Sequence, residues 1–242
     1  MLPSDLRQAE AQALTALQSA LASGAAGRWT VELRFEGLKV LPLALRLAAQ
    51  LAEAEPSWRL LFPDAGATAL ARRDAPALAP RITSLGDHRR RQEAEAEAAE
   101  REGSAPGDLG PGPLLLVTPS PSDYALVEAV CGAHRGAVVM LNPTLEDGAV
   151  GIGSVARARR KGFLAQWQPA YALQPFADSA LRRAHPGDWE LYRLDPDGFR
   201  LAARFPQKPT GEEQAEALGD GGDGGLGRQL RSLGDLIDNL QR

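Results

Sequence analysis

The stretch LNPTLEDGAVGIGSVARARRKGFL, residues 141–164, gathers more chemistry-bearing residues than any other part of this 242-residue chain. An apolar run ends at Asn142-Pro143, adjacent acids follow at Glu146 and Asp147, and glycines stand at 148, 151 and 153. Ser154 comes next, then the basic run Arg157, Arg159, Arg160 and Lys161. A nucleotide-binding P-loop needs a Lys-Ser/Thr pair directly after its glycines, so that ammonium and hydroxyl meet phosphate and magnesium. Here Gly153 runs into Ser154-Val155, and Lys161 lies too far along. The dinucleotide motif needs G-x-G-x-x-G, and GAVGIG has the wrong order. Two readings stay open. A nest of backbone amides before a helix starting at Ser154 would hold an anion. Alternatively the glycines only turn the chain, and Glu146 and Asp147 pair with Arg157, Arg159 or Arg160. The candidate binding residues are therefore Asn142, Glu146, Asp147, Gly151, Gly153, Ser154, Arg157 and Arg160.

Other reactive side chains form no pattern. His88, His134 and His185 are far apart in sequence and none neighbours a cysteine or histidine at ligand spacing, so no metal site is expected. There is no G-x-S-x-G elbow, and the single cysteine, Cys131, falls on the apolar face of a helix, where a thiol is inert. No catalytic residues and no cofactor are assigned, and the expectation is a protein without enzymatic activity. A formal net charge of −4 argues against nucleic acid as a partner, because phosphate affinity needs clustered positive charge. One cysteine excludes an internal disulfide and suits a reducing, cytoplasmic compartment. The N-terminus has neither the basic start nor the apolar run of a secretory signal, and no window approaches the ~18 apolar residues of a spanning helix. The chain reads as soluble.

These residues must be positioned by helices and strands. Leu6, Ala13, Leu14, Leu17 and Leu21 recur at helical spacing. RWTVELRF reads as a strand, LPLALRLAAQLAEA as a helix with Pro42 in its first turn, and WRLLF as a buried strand. DAGATALARRDA is a helix capped by Asp64, RITSL a strand, PLLLVTPS a buried strand, PSDYALVEAVCGAH a helix and GAVVMLNP a further buried strand. This alternation predicts an α/β fold, a mixed sheet with a parallel centre flanked by helices. After Gly162 the period changes to two. FLAQWQPAYAL, with Pro169, reads as an edge or bulged strand, and WELYRLDPDGFRLAARF as a hairpin about residues 195–198. An antiparallel C-terminal extension is expected at the sheet edge. Residues 1–218 are read as one α/β domain, interrupted at 87–112 by an exposed charged insertion with no apolar stripe. Residues 219–242 are read as a flexible glycine-rich tail ending in an amphipathic helix.

VELRF, LLFPDAGATALARRD, LLLVTPSPSDYALVEAV, VVMLNPTLEDGAVGIG, YALQPF and PGDWELYRL occur in this order. Together they resemble a cyanobacterial and chloroplast domain-of-unknown-function family. That family includes the plastid assembly factor low photosystem II accumulation three, and it also occurs behind a plastid adenylate kinase. FPDAGATALARRD and LNPTLEDGAVGIG are the most specific parts, while the 87–112 segment and the glycine-rich tail depart from the pattern. The resemblance implies a non-enzymatic assembly factor for photosystem II, peripheral to the thylakoid membrane, with a thylakoid membrane protein or an assembly intermediate as partner. The alternative is a regulatory domain binding a nucleotide or phosphometabolite.

Overall fold

The structure, a computed structural model, describes residues 1–24, 27–102, 112–145 and 161–219. Strands and helices alternate: α1 (Leu6–Ala22), β1 (Arg28–Leu33), α2 (Val40–Ala54), β2 (Arg59–Phe62), α3 (Ala65–Asp74), β3 (Ile82–Ser84), α4 (Leu85–Glu102), β4 (Leu114–Val117), α5 (Tyr124–Ala133) and β5 (Val138–Leu141). Four further strands follow, β6 (Gln168–Pro175), β7 (Ser179–Ala184), β8 (Trp189–Asp195) and β9 (Gly198–Phe205), and then α6 (Gly211–Leu218). The nine strands run in the order β3-β2-β4-β5-β1-β6-β7-β8-β9, a mixed sheet as the sequence predicts. Two compact units share the chain. One comprises Met1–Ala20, Val31–Leu38 and Pro169–Arg242, the other Leu21–Thr30 and Lys39–Gln168.

In the second unit β2 pairs in parallel with β3 and β4, and β4 with β5. Every residue of β4 and β5 is buried, which accounts for the unbroken apolar runs LLLV and VVML. On one face Leu114, Leu116, Val138 and Met140 pack with Tyr124, Val127, Val130 and Cys131 of α5, and with Leu145 and Phe163, into one core. Burial pushes the Cys131 thiol up to about 12, so it stays protonated among these residues. Asp64 caps α3 as predicted, its Oδ1 accepting from the amide of Ala67 at 2.9 Å. Arg28 satisfies carbonyls at the C-terminal end of α5. Its Nη2 donates to the carbonyls of Cys131 (3.0 Å) and His134 (2.9 Å), and its Nη1 to that of Gly136 (2.8 Å).

Helix α4 differs from the expected exposed segment. It buries Leu85, His88, Gln92 and Ala99, and the Gln92 amide donates to the Val130 carbonyl of α5 at 3.2 Å. Polar and small residues make this face, so no leucine stripe announced it. Residues 103–111, the glycine- and proline-rich half of the segment, lie outside the described residues.

In the first unit β6, β7, β8 and β9 form an antiparallel meander. Strand β6 accepts an amide hydrogen from Arg34 at Leu173 on one side and pairs with β7 on the other, so it is internal, not the edge strand that Pro169 suggested. Pro169 is tolerated because it precedes the paired residues Tyr171–Pro175. The hairpin turns at Pro196-Asp197, with Gly198 at φ 123°. Pairing then skips Ala202, a β-bulge that breaks the alternation expected along β9 and leaves Leu201 41% exposed. Helix α1 buries Ala9, Ala13, Ala16, Leu17 and Ala20. Helix α6 is an element that the sequence reading left as loose chain. Thr210 and Glu213 form a reciprocal capping box, Gly219 closes the helix at φ 82°, and Ala217 and Leu218 pack against the Trp189 and Leu191 cluster.

Candidate functional site

Parallel strands place their carboxyl ends together, and the loops leaving β2, β3, β4 and β5 carry most of the polar residues singled out in the sequence. Asp64 leaves β2, and Ser84 with Asp87 leaves β3. Ser84 Oγ donates to Asp87 Oδ2 at 2.8 Å and accepts from the Asp87 amide at 3.0 Å. After β4 the Asp123 carboxylate accepts from the Ser120 amide at 2.8 Å and from its hydroxyl at 2.6 Å. These acids shape helix entries, and Ser84 holds the Asp87 carboxyl below the usual carboxylate range.

The edge is also strained. Thr118 after β4 and Asn142 after β5 both have a φ of 47°, and each precedes a proline. Left-handed backbone suits asparagine but is an outlier for a β-branched threonine. The two residues extend the register Val117–Leu141, and the Thr118 amide donates to the Leu141 carbonyl at 2.8 Å. Two residues beyond Asn142, the Thr144 amide donates to the Pro119 carbonyl at 2.9 Å. Two unusual turns are thereby locked side by side. Strain of this kind persists only where the surroundings over-determine it, and it gathers at binding and switch sites.

Of the eight predicted site residues, Asn142 stands in this edge, 9% exposed. Glu146, Asp147, Gly151, Gly153, Ser154, Arg157 and Arg160 lie outside the described residues, as does the predicted tail helix. Among the described residues no group of three His, Cys, Asp or Glu side chains is placed to hold a metal ion.

The opposite, amino ends of β2 and β3 hold residues that sequence reasoning missed. A cavity of about 290 Å³ is lined there by Ser57, Arg59, Arg72, Arg81 and Arg91, among others. Arg72 is fixed by its Nε and Nη2, which donate to the Ile82 carbonyl at 3.0 and 2.7 Å. His88, 2% exposed, has no hydrogen-bond partner for either ring nitrogen among the described residues. Burial first, and then the charges of Arg59, His134 and Arg91, push it down to about 4, so the ring is neutral. The four arginines come from four separate segments, so no local motif marks them. The signal available in sequence was a basic residue immediately before each of two buried strands.

A comparison with curated proteins returned no match to the chain. Among the described residues no helix is long and apolar enough to cross a membrane. The profile of a domain of unknown function, DUF1995, matches residues 3–216. That span contains β1 to β9 and the first six residues of α6, 211–216, including both strained turns. The chain belongs to the DUF1995 family.

Proposed function

We propose that this protein is a non-enzymatic binding factor that assists photosystem II biogenesis at the thylakoid surface. It would be related to low photosystem II accumulation three and to the domain behind the plastid adenylate kinase. The observation that carries the reading is where the resembling stretches fold. FPDAG, TPSPSD and LNPT leave the carboxyl ends of β2, β4 and β5, so the most specific parts of the resemblance share one edge of one sheet. Asp64 and Asp123 of that edge are engaged in capping, and its strained pair presents shape rather than a nucleophile. A rigid edge of this kind suits recognition of a protein partner.

The test is isolation of the tagged full chain from detergent-solubilised thylakoids, together with a deletion strain. Photosystem II subunits or an assembly intermediate are expected to co-purify, and photosystem II content is expected to fall in the deletion strain. Normal content under several light regimes, with no co-purifying subunit, overturns the proposal.

A further inference from the structure

The arginine-lined cavity goes beyond the assembly reading and does not rest on it. Among the described residues its lining contains four guanidinium groups and a serine, and no carboxylate. The same helices pair their other arginines with acids. On α3, Arg73 meets Asp74, and on α4 Arg89 meets Glu93, Arg90 meets Asp87 and Arg101 meets Glu97. Arg59, Arg81 and Arg91 have no ion-pair partner among the described residues, although the whole chain is acidic at −4. Two acids that act on lining residues, Glu55 and Asp87, are already engaged. The Glu55 carboxylate accepts from the amide and hydroxyl of Ser57 at 3.1 and 2.7 Å, and Asp87 is held by Ser84 and Arg90 while attracting Arg72 through space.

Grouping like charges without a counter-charge costs stability, and so does a buried donor without an acceptor. Arg59 Nη1 is such a donor, buried with no hydrogen-bond partner among the described residues. An anion with several oxygen acceptors would supply the missing counter-charge, because planar guanidinium forks match the oxygens of phosphate. At about 290 Å³ the space sits near the lower end of small-molecule sites, too small for a dinucleotide. Trp58 and Ile82 in the lining are 2% and 1% exposed, so they offer no apolar shelf for an acyl chain. We infer that this cavity binds a small soluble phosphate ester or diphosphate.

The test is calorimetric titration of the full chain with inorganic pyrophosphate and with glycerol 3-phosphate. Saturable binding is expected with at least one of them, weakening as salt rises. Arg91→Ala should weaken it about tenfold, and Arg81→Ala with Arg91→Ala further, since a hydrogen bond to a charged group contributes about this much. The melting temperature of the unliganded single variant should be unchanged, because Arg91 is exposed and unpaired. If the double variant does not fold, Arg91→Ala alone decides. The inference is overturned if neither probe binds, if binding survives Arg91→Ala undiminished, or if the chain responds only to vesicles containing phosphatidic acid. None of these results bears on co-purification with photosystem II, so the two readings fail separately.

Discussion

Thr118 and Asn142 share a φ of 47° but not a cost. Asparagine accepts left-handed backbone readily, whereas the branched Cβ of threonine clashes there, at roughly 1–3 kcal/mol for such a strained residue. Thr118→Gly should therefore raise stability by about 1 kcal/mol, and Asn142→Gly should change it by only a few tenths. Denaturant melts of both variants check this, and a loss of stability in Thr118→Gly would mean that packing of the side chain outweighs the strain. His88 makes a second case. Its ring is buried with unpartnered nitrogens, so His88→Leu removes an unsatisfied donor and should be neutral or stabilising at pH 7. A ring fixed in the neutral form should also show no NMR titration near its ordinary value of 6.5. The sequence marked Asn142 by its place at the end of a buried strand. It could not mark Thr118, whose conformation is set by the neighbouring turn.

At the scale of elements, apolar runs and caps made most of the fold legible. LLLV, VVML and the Asp64 cap gave strands and a helix start where the structure has them. Two elements escaped because their signals were polar. After Leu85, helix α4 buries a histidine, a glutamine and an alanine and no further leucine, and α6 is announced by Thr210-x-x-Glu213 in a region dominated by glycine and proline. Replacing 87–102 with a Gly/Ser linker should abolish cooperative melting of the second unit, since α5 then loses its neighbour and the Gln92 bond. An unchanged melt would restore the view of the segment as a dispensable insertion. Thr210→Ala should cost about 1 kcal/mol and speed amide exchange mainly within residues 211–218. The candidate loop was legible as a motif, whereas the arginine cavity was not, because only the fold brings residues 59, 72, 81 and 91 to one place.

For the whole molecule, acid sensitivity should come in stages. The folded-state pKa of His88 lies below its ordinary 6.5, so the unfolded chain binds the extra proton. Its contribution is complete above pH 6.5 and is lost as pH falls toward about 4. In the first unit, burial of Glu190 opposes ionisation, but hydrogen bonds from Tyr192 and Arg182 outweigh it and hold the carboxyl below its ordinary 4.5. That contribution is complete above pH 4.5 and disappears only below it. Exchange measured by mass spectrometry between pH 6.5 and 4.5 should therefore rise first around α4 and α5, with β7 and β8 still protected. Simultaneous loss in both units would show that His88 does not govern the second. Legibility at this scale was limited for the same reason: partners such as Arg182 and Glu190 are neighbours only once the register of β7 and β8 is fixed.

Strand β9 ends the sheet, and a terminal strand offers unpaired amides and carbonyls to any second copy that arrives edge-on. The extra residue at Ala202 bends that rim, and Arg200 and Arg204 are exposed along it. A straight rim would template the same rim of the next molecule and grow into a fibril, whereas a kinked one bordered by ion-paired arginines fits its own image poorly. The irregularity that spoils the alternation of β9 thus also makes its rim a poor template for a second copy.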